Sequence, residues 1–400
     1  MKRFALLLLA VVFALPCAVG AQGLTMQMSN GWAFTFAGNV NAFLVYEKED
    51  SAGAVSSPGA LVGASGDGAT RIRTGLLPAF ATFDAKGKEG NVDVGVHFGF
   101  APQIQCGAIG GGPGADHDCF GAQIDMRQVF LTVGGSWGQI LAGRELGVFG
   151  RQNILNDQTL YGIGATGGQF SGGTTLGRIG FGYDYPNFVA QMTYSSRSDR
   201  PLVVSFGLFD PSVNGPYTQI QLPRVEAEAV WSRQQHKFWV GGLVQSNKSP
   251  ADSTATSYGL SGGVKLGFSG FGIVGSGFWG KGIGTTLLFS TGNGTAGGGG
   301  SDDLRTTIGY IGQVTYTPPG SKITVAGSYG VNQLKYATSE DTPGARFKTE
   351  NGLISGGFYY QWTKSLKFVG EFNYAWSKEK EANPEKNSSF APAVGLMLFF

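Results

Sequence analysis

Arginines make up most of the residues in this sequence that could act on a ligand. Residues two apart on a strand point to the same face, and these arginines share one phase on neighbouring predicted strands. The group comprises Arg71 and Arg73 on the second predicted strand, Arg127 on the fourth, Arg144 at the end of the fifth and Arg178 on the sixth. Two charges about 4 Å apart interact by roughly 4 kcal/mol at an effective dielectric near 20. The pattern favours the lining of a pore that attracts anions, whereas one arginine alone would be an ordinary surface charge.

Other polar patterns in the sequence give weaker signals. Arg224, Glu226 and Glu228 share one strand face. Paired carboxylates can serve as acid and base, but carboxylates beside an arginine on one strand are more typical of a solvated pore wall. The three histidines have no metal-ligand spacing, and none is an evident base for a serine nucleophile. Glycine-rich matches such as 162–167 are expected by chance among 67 glycines, so we predict no metal, cofactor or nucleotide site.

A long loop, 146–176, holds two further charged candidates, Arg151 and Asp157. It has no alternating run, and loops longer than about 15 residues are usually functional or disordered. Disorder is disfavoured because apolar residues such as Phe149 and Leu160 need a surface to pack against. We therefore expect the loop to fold back into the lumen of a barrel and to narrow it.

The elements that would position these residues are strands, because apolar and polar residues alternate from end to end of the chain. Between 92 and 100, for example, valines and phenylalanines alternate with Asp93, Gly95 and His97. An apolar face against lipid and a polar face against a water-filled interior would give this pattern. Sixteen candidate strands follow, beginning near residues 31, 71, 91, 123, 138, 177, 188, 224, 237, 257, 271, 303, 322, 351, 366 and 389.

The connections between these strands alternate between short turns and long loops, as in outer-membrane barrels. Closure also removes the exposed edges of so large a sheet. The predicted fold class is thus all-β: a transmembrane antiparallel β-barrel of about 16 strands with a long inward-folded third loop.

The chain begins with a secretory signal, predicted as residues 1–21: Lys2 and Arg3, an apolar run, and small residues before Gln22. Residues 22–400 then form one domain. Without Lys2 and Arg3, the 29 basic residues become 27 against 27 acidic ones. A mature chain of zero net charge gives no support for binding nucleic acid.

Two stretches resemble the general porins of Gram-negative outer membranes. Met126–Gly150 has an arginine, a short strand, a glycine-rich turn and a second strand ending in Gly-Arg, before the long loop. Gly177–Ser195 resembles the hairpin that follows that loop, and Phe400 resembles the assembly signal read by the barrel-assembly machinery. The resemblance implies a homotrimeric, sixteen-stranded barrel in outer-membrane lipid that passes ions and small hydrophilic solutes by diffusion.

By the same resemblance, the arginines correspond to the basic wall of the family's constriction. In the family, acidic residues on the constriction loop face this basic wall. This chain matches that feature poorly, because Asp157 is the only acidic residue in the loop. A modest anion preference is therefore expected. Two other functions stay open: a channel selective for sugars or acidic solutes, which needs a saturable site, and a barrel enzyme, which needs a catalytic constellation at the rim.

We predict a disulfide between Cys106 and Cys119, the only two cysteines left after cleavage of the signal. Closing a loop of about 14 residues should stabilise the protein by roughly 3 kcal/mol in the chain-entropy model. The barrel should survive reduction, because its strands carry most of the stability. Two free thiols in the non-reduced, denatured protein would contradict the bridge.

Overall fold

The computed structural model describes residues 23–51, 55–63, 68–105, 124–167, 173–289, 294–297, 300–381 and 385–400. The predicted signal peptide and the cysteine pair, Cys106 and Cys119, lie outside the described residues. Within the described ranges, no helix is both long enough and apolar enough to cross a membrane.

The strands form one antiparallel sheet that closes into an all-β barrel of sixteen wall strands. Strands β3 and β4 both pair with β2 and together make one wall strand, while β1 and β10 are short pieces paired with the ends of β2 and β12. The strands are β1 Leu24–Gln27, β2 Ala33–Ser51, β3 Gly68–Arg73, β4 Phe80–Glu89, β5 Val92–Pro102, β6 Ile124–Gly135, β7 Gly138–Leu146, β8 Phe188–Ser195, β9 Leu202–Phe209, β10 Gln219–Ile220, β11 Arg224–Arg233, β12 His236–Lys248, β13 Thr254–Phe268, β14 Phe271–Lys281, β15 Thr306–Tyr316, β16 Ile323–Lys335, β17 Lys348–Gln361, β18 Leu366–Glu379 and β19 Lys386–Phe399.

In the part of the chain that the structure describes, helical structure is limited to short segments. The α-helix α1, Arg151–Leu155, and a 3₁₀ turn, Gln158–Tyr161, lie in the third long loop. Two more 3₁₀ turns, Ser301–Asp303 and Thr338–Glu340, lie in later loops.

The barrel closes where β19 pairs with β2. The last residue continues this pairing: Phe400 N–H donates to Gly38 O at 3.0 Å, and Gly38 N–H donates back to Phe400 O at 2.9 Å. The Phe400 ring lies 5.2 Å from the ring of Phe36. Gly38 is suited to the seam because a Cβ there would lie 2.1 Å from Phe80 O. The terminal phenylalanine thus completes the sheet, while its role as an assembly signal stays a prediction.

Alternation along each strand separates an apolar exterior from a polar interior. On β2, Val40 and Leu44 are exposed, whereas Asn39 and Asn41 are buried on the inner face. Asn41 donates to Leu77 O and accepts from Gly75 N–H, across the break between β3 and β4. The buried Asn41 side chain is therefore hydrogen-bonded to chain inside the barrel, as burial requires.

One predicted strand does not form and one observed strand is absent from the prediction, so the count of sixteen is unchanged. The strand predicted from Gly177 belongs instead to the inward loop, which ends at 187. Conversely, β9 has no counterpart among the predicted strands, whose starts pass from 188 directly to 224. Residues 177–185 alternate like a strand, but the apolar members are buried inside the barrel, and Gly177 and Gly180 take positive φ values of 57° and 80°.

Candidate functional site

The loop between β7 and β8, residues 147–187, runs around the inner wall of the barrel. It is longer than the predicted 146–176 because the expected sixth strand is part of it. Its outgoing half contacts β11, then β12 and β13, then β15, β17 and β18, and finally β2 and β3. Its returning half contacts β17 and β16. The loop thus folds inward, as predicted, and lies against most of the wall rather than crossing the lumen freely.

The first anchor of the loop is its helix, α1. Gly150 precedes the helix with a φ of 74°, a conformation that favours glycine. Arg151 then contacts Glu228 of β11, with Nε and Nη2 at 2.9 Å and 2.8 Å from the same carboxylate oxygen. Asn153 donates to Ser261 Oγ and accepts from Trp239 Nε1–H, at 3.1 Å and 3.0 Å. Three neighbouring wall strands therefore fix the helix.

Backbone amides of the loop are the donors at the second anchor. Ile163 N–H and Gly164 N–H both donate to the Glu371 carboxylate, at 2.7 Å and 2.9 Å. Thr166 donates to Glu47, which also accepts from Ser389. These inner-wall acids therefore bind the loop itself.

Asp157 and Arg178 pair with each other inside the loop, whereas the sequence analysis places Arg178 on a wall strand. Arg178 lies on the returning half of the loop and not on a wall strand; its Nε is 3.8 Å from Asp157 Oδ1, and neither side chain is exposed. Arg178 also donates to Leu353 O and Ser328 Oγ, at 2.9 Å and 2.5 Å. Burial raises the pKa of Asp157, and the guanidinium of Arg178 opposes that rise. The pair joins the two halves of the loop to the wall.

Arg71 and Arg73 lie on the inner face of β3, opposite the buried residues Val45 and Phe43 of β2. Arg73 is itself buried and donates to Gly173 O in the loop at 3.4 Å. The structure thus brings this part of the arginine group against the loop, while its effect on ions stays a prediction.

Arg127 also points inward, and a β-bulge puts it there. The pairing of β5 with β6 shifts between Gly99 and Phe100, which leaves Arg127 as the extra residue. Its Nε donates to Asp125 at 2.7 Å, and its guanidinium lies 5.8 Å from the ring of Phe188. Below the bulge, Gln128 points inward too and donates to Glu145 at 2.8 Å.

Arg144 was predicted to join this inner wall, and the structure contradicts that. It pairs with Ala190 on β8, whereas the inner-face residue Gln191 pairs with Gly143. Arg144 is therefore exposed on the outer face, in phase with Ile140 and Met192. The phase was misread because Ile140 and Leu141 are both apolar. Glu145, hydrogen-bonded to Gln128, takes the inward position instead.

Asp184 is a loop residue that the sequence reasoning missed. Its side chain is 2% exposed, and among the described residues neither carboxylate oxygen has a hydrogen-bond partner. The adjacent amide, Tyr185 N–H, donates to Thr286 O instead, at 2.9 Å. Burial without a nearby cation raises the pKa of Asp184 well above its ordinary value. No sequence signal separates this acid from a solvated one.

Comparison with known proteins supports the fold assignment. Neither a protein-family model nor a functionally curated protein matches the sequence. Among solved structures, the chain is similar to the outer membrane channel DcaP of Acinetobacter baumannii, with 15% identity, a TM-score of 0.66, and coverage of 94% of this chain and 99% of that one. The anion-selective porin from Comamonas acidovorans gives 14% identity, a TM-score of 0.61, and coverage of 92% and 100%.

A third similar structure is the trimer form of in-vitro folded OmpT, an outer membrane protein of Vibrio cholerae. It has 14% identity, a TM-score of 0.53, and coverage of 92% of this chain and 100% of that one. The barrel and its inward loop thus define the fold of the outer-membrane porins and channels, and the resemblance expected from the sequence is confirmed at the level of fold.

We predict that the return half of the loop loosens as pH rises, because of Asp184. A raised pKa in the folded state stabilises the loop fully below the ordinary value of about 3.9, and this stability is lost as pH rises through the raised pKa. Hydrogen-exchange protection of the Tyr183 and Tyr185 amides, corrected for intrinsic rates, should then fall by up to about tenfold per pH unit. Asp184→Asn should remove that dependence.

The matched control for this experiment is Asp199→Asn, because Asp199 is an exposed acid in the turn between β8 and β9. It should leave the protection profile of the loop unchanged. An identical pH profile in native protein and Asp184→Asn would contradict the role of Asp184.

Proposed function

We propose that this protein is an outer-membrane porin: a passive diffusion channel for ions and small hydrophilic solutes, narrowed by the 147–187 loop. The observation that carries the proposal is the closed sixteen-stranded barrel whose inner wall is polar and holds a long loop inside. A closed barrel with an apolar exterior and a polar interior suits passage of water-soluble molecules through lipid. The solved structures of similar fold, described as porins and channels, support the same function and an outer-membrane location.

We further propose a modest preference for anions. In two ion pairs of the inner wall, the cation keeps more contact with water than its acid: the Arg151 side chain is 25% exposed against 3% for Glu228, and Lys86 is 32% exposed against 10% for Asp84. The Arg127–Asp125 pair is the reverse, at 20% and 45%. A passing ion would meet more exposed positive than negative charge at the first two pairs, which is why the preference should be modest.

Two alternative functions of the barrel predict different measurements. A channel selective for sugars or acidic solutes would show conductance that saturates with solute. A barrel enzyme would need a reactive group, and the nearest arrangement is His97, whose Nδ1 lies 3.0 Å from Asp84 Oδ1. That histidine stacks on Phe130 at a centroid distance of 4.7 Å, which fits wall packing. Hydrolysis of lipid or peptide by the purified protein would favour the enzyme.

We expect native channels to prefer anions in planar bilayers under a KCl gradient, with the preference weakening between about 0.1 M and 1 M salt. The Debye length falls from about 10 Å to about 3 Å over that range, so the wall charges act over a shorter distance. Arg127→Gln should shift the reversal potential toward cations, because it leaves the exposed Asp125 carboxylate without its partner.

Arg197→Gln is the matched control, since Arg197 forms the same kind of pair with Asp199 two residues away, in an exposed turn outside the wall strands. It should not move the reversal potential. A clear cation preference of the native protein at low salt, unchanged in Arg127→Gln, would contradict the proposed selectivity.

We also propose that the native form is a homotrimer. Arg144 carries the argument, because it is exposed on the outer face of β7, where an arginine is unfavourable against lipid and tolerable against protein. The similar Vibrio cholerae structure described as a trimer form supports the same assembly.

Light scattering in mild detergent should give the mass of three chains, and Arg144→Glu should reduce the trimer fraction. A monomeric mass in several detergents would rule the assembly out.

A further inference from the structure

A second group of basic side chains faces the lumen below helix α1 and belongs to neither the arginine group nor the loop anchors. Lys237 of β12 and Lys265 of β13 are direct partners in the pairing of these strands. Both point inward, in phase with Trp239 and Ser261, which contact the loop. Both lie toward the turns β11–β12 and β13–β14, which are short and therefore on the periplasmic side in an outer-membrane barrel.

Two lysines opposite each other on neighbouring strands repel, since their Cβ atoms are about 4.5–5.5 Å apart. Neither ammonium is matched by an acid of its own. Lys237 Nζ donates to the neutral Gln152 Oε1 at 3.3 Å, and among the described residues Lys265 has no hydrogen bond or ion pair. Both side chains are half-buried, so water screens the repulsion less than at a surface.

Arg151 extends this basic group from above. Lys237 is linked to Arg151 through Gln152, because Gln152 accepts from Lys237 and donates to Glu228, which binds Arg151. The Glu228 oxygen that accepts from Arg151 also accepts from Gln152 Nε2, at 3.3 Å, so it is already shared among donors. The neighbouring acid Glu226 is buried against Arg224 at 2.7 Å and is neutralised there. Lys237, Lys265 and Arg151 together with Glu228 therefore give a net local charge of two positive units.

We propose that Lys237, Lys265 and Arg151 form a binding site for a compact dianion, such as inorganic phosphate, on the periplasmic side of the loop. This inference rests on the proposed channel function, because the anion reaches the site through the lumen. The two ammonium groups and the guanidinium supply donors from three elements, β12, β13 and α1, and two negative charges match the local excess. The site would hold the anion below the narrow region and slow its passage relative to chloride.

The test is chloride current through the full mature protein in a planar bilayer, with inorganic phosphate added to one side at mildly alkaline pH, where it is a dianion. Phosphate on the short-turn side should reduce the chloride current with saturation. Lys237→Gln and Lys265→Gln should each raise the half-blocking concentration about tenfold, the effect of losing one charge-assisted hydrogen bond. The double variant should lose saturable block.

Lys88→Gln is the matched control, because Lys88 is an exposed lysine near a short turn. Its substitution removes the same charge as the substitutions of Lys237 and Lys265. It should leave the block unchanged, and conductance at high salt should show that each barrel is intact. Equal block in native protein and the double variant would overturn the site, as would an equal effect of Lys88→Gln. Block by phosphate that grows without saturation would overturn it too.

A native protein without conductance would contradict the proposed function rather than the site. Broadening of the phosphorus-31 resonance of phosphate by detergent-solubilised protein then tests the site independently of conductance. Broadening by native protein that the double variant loses would support the site, and no broadening, or equal broadening, would overturn it.

Discussion

Hydrogen bonds between the inner wall and the backbone of the 147–187 loop hold the interior of this barrel together. A loop placed inside a membrane protein leaves peptide groups that must find partners away from bulk water. Glu371 and Gln313 provide acceptors for loop amides, while Asn332 and Gln313 donate to loop carbonyls. The polar inner face of the strands therefore supplies hydrogen-bond partners to the loop.

The need of buried groups for partners also explains why charged side chains inside the barrel differ in role: some bind the loop, and others stay in contact with water. Asp157 and Arg178 are fully buried and bind each other, so removing one would leave an uncompensated charge. Glu47 and Glu371 accept hydrogen bonds from the loop. These acids and Arg178 fix the position of the loop. By contrast, Arg151 and Lys86 keep contact with water, and in the proposed channel such groups would act most strongly on a passing ion.

The sequence predicted the barrel well because its strands obey a simple rule: every second residue meets lipid. The strand prediction failed where polar and apolar residues alternate although the apolar ones do not meet lipid. Residues 177–185 alternate, yet their apolar members pack against the inside of the wall, in a cluster with Ile154, Leu160 and Ile311. In β9, the apolar positions outnumber the polar ones, so the strand lacked a clear polar face.

The candidate site was less predictable. The direction in which a side chain points depends on features that the alternation of polar and apolar residues does not reveal. Arg127 points inward only because of the bulge opposite Gly99 and Phe100. Arg144 points outward because Glu145 occupies the inner position. The partners of Asp157 and Arg178 are set by the path of the loop, which depends on wall residues more than 100 positions away in the chain, such as Ser328 and Leu353.

Exposure to water, rather than the number of charges, should therefore control which ions this barrel favours. Residues 22–400 contain equal numbers of acidic and basic residues, yet acids such as Glu371 and Glu228 are largely buried in contacts with the loop. Arg151 and Lys86 stay partly exposed inside the barrel, at 25% and 32%, because their long side chains can keep the charged end in water. A neutral barrel can thus present a positive interior. The loop achieves this by binding the acids, so a change that loosens the loop should expose carboxylates and shift selectivity toward cations.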